Sequence, residues 1–152
     1  MSEEHKYNVE IDMIELRVGN FILEDKDKPL IRVATPPEFT GGKPGIHSPE
    51  DLFVGAIAAC KMTTYCGMAE KLDIGLQSLK VKATGYLGEA KILDPNVRGM
   101  AFTKVDVHLV IGIDDEENRK SAEKCVDLTK KYCLVSNSMK SETSLTFEIS
   151  IV

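Results

Sequence analysis

The sequence predicts an α+β fold, with antiparallel sheets around two long central helices. Three features point there. Short strand-like runs gather at both ends and in the middle, two segments are long enough for helices of several turns, and the strands come in runs rather than alternating singly with helices. The chain has 152 residues, which suits a single domain over 1–152, and 43% of them are apolar, enough for a real core.

The elements follow in order. Residues 7–16 partly alternate apolar and polar side chains, as a half-buried strand does. Val18-Gly19-Asn20 reads as a turn, Phe21 to Glu24 as a second strand, Asp25 to Pro29 as a polar turn and Leu30 to Ala34 as a third strand. Thr35 to His47 holds three Pro and three Gly and reads as a loop. Loops of that length in compact domains tend to be functional. Ser48 is a helix N-cap candidate, Pro49 suits the first helical position, and Asp51 completes an S-x-x-D capping box. The helix extends to about Leu72, and the small residues of Gly55-Ala56-Ile57-Ala58-Ala59 place it centrally, where another backbone can approach. Leu79 to Leu87 and Phe102 to Ile113 read as strands, joined by a loop holding Asp94-Pro95-Asn96. Asp114, with Glu117 three residues on, is the second N-cap candidate for a helix reaching about Tyr132. Glu116 and Lys120 are spaced for an i,i+4 ion pair on its solvated face. A short helical turn around Ser136 to Lys140 precedes a final strand, Thr143 to Val152, that turns Leu145, Phe147, Ile149 and Ile151 inward.

Charge and composition narrow the function. A net charge of −5 gives no basic face for nucleic acid or an anionic membrane. No run approaches the roughly 18 consecutive apolar residues of a membrane span. The polar start Met1 to Lys6 lacks the apolar core of a signal peptide, so a cytoplasmic location is expected. Thiols stay reduced there, and the four cysteines are then buried apolar groups, metal ligands or redox groups rather than a disulfide framework. The spacings Cys60-x5-Cys66 and Cys125-x7-Cys133 match no short zinc knuckle, and His5, His47 and His108 show no paired spacing, so no metal is expected.

Cys60 and Cys133 sit in separate helix-like segments, with Glu50 ten residues before Cys60. Such a thiol pair suits redox chemistry, one sulfur attacking an oxidant and the other resolving the product. The plain alternative is that both are buried structural thiols, since free Cys is commonly buried. On the same footing Glu50 is a first-turn acid complementing the helix dipole. Arg17 and Arg32 are strand-surface charges, and Cys66 and Cys125 are core or surface thiols.

The run Ser48-Pro49-Glu50-Asp51-Leu52-Phe53 leading to Ala58-Ala59-Cys60 resembles the central helix of the OsmC/Ohr family, which includes organic hydroperoxide resistance proteins. The likeness spans nearly the whole chain. It includes the loop Thr35 to Gly42 and the second cysteine segment Cys133-Leu134-Val135-Ser136. The resemblance implies an intertwined homodimer with two sites at the subunit interface. It assigns Cys60 as the reactive cysteine, Cys133 as the resolving one, and Glu50 as the carboxylate that holds an arginine. Arg17 is the better positional match for that arginine and Arg32 the runner-up. Leu134 departs from the family, many of whose members carry Pro directly after the second cysteine.

The implied activity is a thiol-dependent peroxidase that reduces organic hydroperoxides through a Cys60 sulfenic acid and a Cys60–Cys133 disulfide. It needs no metal, haem or flavin, only an external dithiol reductant, often a lipoyl protein in the family. Phe53, Ile57, Met62 and Met139 are candidates to line the substrate pocket or the dimer core, and apolar lining would favour alkyl or lipid hydroperoxides. A non-peroxidatic member of the fold that binds a small apolar or thiol-reactive ligand is the alternative.

Overall fold

A computed structural model describes residues 4–92, 94 and 96–152. Met1, Ser2 and Glu3 of the polar start, and Pro95 of the expected Asp94-Pro95-Asn96 loop, lie outside the described residues. The chain divides into two compact units, Met1–Phe53 and Val54–Val152.

The first unit is a three-stranded antiparallel sheet in the order β1-β2-β3, with β1 at Val9–Glu15, β2 at Val18–Leu23 and β3 at Ile31–Ala34. One expectation needs correcting. Val18-Gly19-Asn20 is not the turn but the start of β2, and the chain reverses at Leu16-Arg17. Arg17 takes the left-handed conformation there, at φ 66°. Tight hairpins need positive φ, and Gly or Asn usually supplies it, so a Leu-Arg turn carries no composition signal.

The loop after β3 is tied down by its own backbone. Phe39 N–H donates to the Pro36 carbonyl at 3.1 Å, Gly42 N–H to Phe39 at 2.9 Å, and Lys43 N–H to Thr35 at 3.0 Å. A Cβ on Gly42 would stand 2.0 Å from the Pro36 carbonyl oxygen, so only glycine fits. α1, Pro49–Lys71, begins with the reciprocal capping box that the sequence indicates: Ser48 N–H donates to the Asp51 carboxylate at 2.8 Å, and Asp51 N–H to Ser48 Oγ at 3.1 Å.

In the second unit α1 buries Ile57, Lys61, Tyr65 and Ala69, a stripe at fourfold spacing along one face. Gly55, Ala56, Ala59, Met62 and Thr63 remain exposed. An 18-residue window of this helix has mean hydropathy 1.3 and is only 22% buried, so by length and composition alone α1 could cross a membrane. Counting consecutive apolar residues misses this because charged and polar residues such as Lys61 interrupt the run. Lys61 is nonetheless 2% exposed, inside the buried stripe. α1 ends in a Schellman-type cap, with Asp73 at φ 49°, Ile74 N–H donating to Ala69 and Asp73 N–H to Glu70.

β4, Leu76–Lys91, and β5, Arg98–Ile113, pair antiparallel from Leu76↔Ile113 out to Lys91↔Arg98, well beyond their expected ends. β5 buries Val105, Val107, Leu109 and Ile111 in strict alternation, the backbone of this unit's core. A 3₁₀ turn, Glu116–Asn118, leads into α2, Arg119–Tyr132. Asp115, not Asp114, caps that turn, accepting from Glu117 N–H at 2.8 Å, while Asp114 accepts from the Asn118 side chain at 3.1 Å. Glu116 pairs with Arg119 rather than Lys120, because residues three apart eclipse one another in a 3₁₀ turn.

β6, Glu142–Ile151, lies beside β5 and parallel to it, in the order β4-β5-β6. The α+β class holds, but this sheet is mixed rather than antiparallel. A parallel neighbour needs a crossover, and α2 supplies it. As an edge strand β6 does not bury its alternating set: Leu145 and Ile149 are half-buried, whereas Phe147 and Ile151 are exposed.

Candidate active site

The two cysteines singled out by the sequence come together in the second unit. Cys60 sits in the fourth turn of α1 and is half-buried. Cys133 is fully buried at the junction where α2 stops and the one-turn helix α3, Leu134–Asn137, begins. Its backbone is extended, φ −67° and ψ 107°, which breaks the helix and turns the chain back towards Cys60.

Burial pushes the Cys60 thiol up, but hydrogen bonds outweigh it and leave the thiol below its ordinary range. The Val135 amide, the Cys133 thiol, the Thr64 hydroxyl and the Leu134 amide all favour the thiolate. Thr64 Oγ1 stands 3.9 Å from Cys60 Sγ. Backbone N–H groups at a helix start carry partial positive charge and are fixed in place, so they stabilise a sulfur anion without reorganising. Cys133 Sγ in turn accepts a hydrogen bond from Ser136 Oγ at 3.2 Å.

The other two thiols occupy a different setting. Cys125 is fully buried in α2, and burial pushes its thiol up. Cys66, half-buried in α1, lies with Cys125 near the Tyr65 hydroxyl; burial first, and both thiols with it, raise that hydroxyl's pKa.

The remaining expected site residues divide between the units. In the first unit Arg17 Nη1 donates to the Thr40 carbonyl at 2.5 Å, and its stem runs beside Gly41, 3.0 Å from where a Cβ would stand. Arg32 is exposed on β3, paired in register with Asn20. Glu50, in the first turn of α1, has Oε2 buried and, among the described residues, accepting no hydrogen bond. Phe53 is half-buried. A mostly apolar cleft of about 260 Å³ lies within this unit, lined by Ile11, Met13, Arg17, Val33, Ala34 and Pro49 among others. In the second unit Ile57 is fully buried in the core stripe, Met62 is exposed, and Met139 is half-buried just after α3. Sequence reasoning missed Thr64, the Leu134 and Val135 amides and the hydroxyl of Ser136. Backbone donors leave no trace in residue type, and Ser136 is legible only once Cys133 is known to turn towards it.

The OsmC-like protein family profile matches residues 42–148. The chain belongs to this OsmC-like family. Solved structures of similar fold include an OsmC-like protein of unknown function from Vibrio cholerae, 18% identical with a TM-score of 0.79, covering 97% of this chain and 100% of that one. An organic hydroperoxide resistance protein from Elizabethkingia anophelis is 19% identical with a TM-score of 0.72, covering 99% and 100%. Another, from Legionella pneumophila, is 23% identical with a TM-score of 0.66, covering 97% and 99%. Among curated proteins none matches significantly. At these identities the structural likeness establishes the shared fold of this OsmC-like protein.

Proposed function

We propose that this OsmC-like protein is a thiol-dependent peroxidase acting on organic hydroperoxides. The observation that carries the reading is Cys60: a half-buried thiol, held below its ordinary pKa, with the Cys133 thiol among the groups that favour its thiolate. The Cys60 thiolate attacks the O–O bond of the hydroperoxide. An S–O bond forms, the O–O bond breaks, and the alkoxide leaves and is protonated to the alcohol. Cys133 then attacks the sulfenic sulfur, giving the Cys60–Cys133 disulfide and water. An external dithiol, such as a lipoyl protein, returns both thiols by exchange.

Arg17 is the arginine we assign to the peroxide. It stays charged and offers several fixed donors to oxygens that gain negative charge. Its place beside an apolar cleft supports substrates with an organic group, and Phe53 and Met139 are further candidates for apolar contact, whereas Ile57, fully buried in the core, has no surface to offer one. The unpaired, buried Oε2 of Glu50 supports its role as the acceptor that orients that guanidinium. The small-residue face of α1, exposed at Gly55, Ala56, Ala59 and Met62, supports a homodimer in which a second copy covers it. A cytoplasmic setting would keep both thiols reduced between turnovers. Binding of a small apolar ligand without turnover is the second reading, and the same cleft favours it.

Mass spectrometry after one equivalent of an organic hydroperoxide tests the assignment. A Cys60–Cys133 disulfide is expected in the wild type and should be lost completely in Cys60→Ser. Fully reduced wild-type protein beside unspent oxidant would leave the ligand-binding reading.

A further inference from the structure

The hydroxyl of Ser136 makes an unusual choice of acceptor. Ser and Thr hydroxyls within helices commonly donate back to the carbonyl four residues earlier. Thr63 does so to Ala59 at 3.1 Å and Thr129 to Cys125 at 2.7 Å, and Ser138, at the cap of α3, does the same to Leu134 at 2.9 Å. Ser136 instead donates to a side-chain sulfur, Cys133 Sγ, at 3.2 Å. That sulfur is fully buried, so no solvent donor reaches it in place of Ser136. Its backbone is fixed as well, because Asn137 N–H donates to the Cys133 carbonyl at 3.0 Å.

We infer that Ser136 is a positioning residue for resolution, holding the Cys133 sulfur and stabilising the negative charge it carries as it attacks Cys60. The inference rests on the thiol-pair reading given above. In the resolving step the Cys133 sulfur supplies an electron pair to the Cys60 sulfenic sulfur. The S–S bond forms, the Cys60 S–O bond breaks, and the thiol proton leaves with the hydroxide as water. A buried sulfur that gains charge without a donor bears the full desolvation cost, and the Ser136 hydroxyl offsets it. Before oxidation the same bond has a second effect. A sulfur that accepts a hydrogen bond becomes the stronger donor, so the Ser136 hydroxyl strengthens the help that the Cys133 thiol gives the Cys60 thiolate.

The test separates attack from resolution with an aromatic disulfide, 5,5′-dithiobis(2-nitrobenzoate). Cys60 attacks it and releases one thionitrobenzoate; Cys133 then displaces the second. Cys66→Ser and Cys125→Ala remove the other thiols from every protein compared. Ser136→Ala should leave the first release within about twofold and slow the second about tenfold, the scale of one lost hydrogen bond to a charged group. Ser136→Thr, which keeps the hydroxyl, should restore it. A second release at the parent rate in Ser136→Ala, or equal slowing in both variants with unchanged thermal stability, would overturn the role. Because no peroxide is involved, a normal Ser136 contrast in a protein that ignores hydroperoxide would sink the peroxidase reading alone. Peroxide turnover with unaffected resolution in Ser136→Ala would sink only the Ser136 role.

Discussion

Cys60 and Cys125 are two cysteines of one compact unit with opposite electrostatic settings. Both lose water, and burial raises both thiols. What differs is the supply of donors. Cys60 receives two backbone amides, a thiol and a hydroxyl, and ends below its ordinary range. Cys125 has only the help of the Lys124 charge and ends above it. Burial alone therefore makes an inert cysteine, and burial with aimed donors makes a nucleophile. Thr64 comes from α1, and the other donors come from the break between α2 and α3, where the backbone at Cys133 is extended.

The strongest way to break the contrast is to unpack its inert side. Tyr65 is fully buried and donates to the Ala122 carbonyl at 3.4 Å, linking α1 to α2 beside Cys66 and Cys125. Tyr65→Ala should cost on the order of 3–5 kcal/mol, as other large aromatic truncations do, read as a shift in the denaturant midpoint. Cys125 should become markedly easier to alkylate in that variant. If Cys60 changes its pH response as much as Cys125 does, the two settings are not independent and the comparison fails.

A second measurement sharpens it in the intact protein. Alkylation by iodoacetamide, followed peptide by peptide, reports thiolate fraction. The Cys60 thiolate persists to lower pH because its pKa is depressed, so its rate should fall only when the pH drops below the ordinary thiol midpoint of about 8.5. Cys125 has the opposite sign and should gain rate only above that range. At neutral pH Cys60 should react roughly tenfold faster or more. Equal rates, or a Cys60 midpoint at or above that of an unperturbed thiol, would remove the physical basis of the peroxidase reading.

The parts of this site that residue types encode were legible in the sequence. Ser48, Pro49 and Asp51 mark the start of α1 because capping uses side chains. The small-residue run was read as a place of close backbone approach, but Gly55, Ala56 and Ala59 are exposed and nothing lies within 4 Å of a Cβ on Gly55 among the described residues. What escaped depends on backbone geometry or on distant partners. The turn at Leu16-Arg17 has positive φ without Gly or Asn, and so Arg17 read as a residue before a turn rather than within it. The parallel pairing of β6 depends on where α2 returns the chain, and the alternation Leu145, Phe147, Ile149, Ile151 is the same for either direction. The cap at Asp115 rather than Asp114 reflects a 3₁₀ turn ahead of α2, which shifts the helix start without changing composition.

Leu134 is where the sequence departure and the structure meet, and it yields the smallest expected effect. Many family members carry Pro after the second cysteine, and Pro has no N–H. In this chain the Leu134 amide is one of the donors to Cys60, the least of those named, so the departure adds a donor that a proline would lack. Leu134→Pro should be tolerated by the fold. Position 134 opens α3, where Pro is favoured, and Cys133 already holds the extended backbone that a following Pro requires. The Leu134 side chain is 76% exposed, so little packing is lost. The Cys60 alkylation midpoint should move up, and its rate at neutral pH should fall a few-fold, about what a minor donor to a charged group contributes. Cys125 should not change. A midpoint that stays put would mean the Val135 amide, the Cys133 thiol and Thr64 suffice, and that the extra amide is incidental. A midpoint that rises all the way to that of a free thiol would mean the whole α3 start had moved, and the loss would then be one of position rather than of a single hydrogen bond.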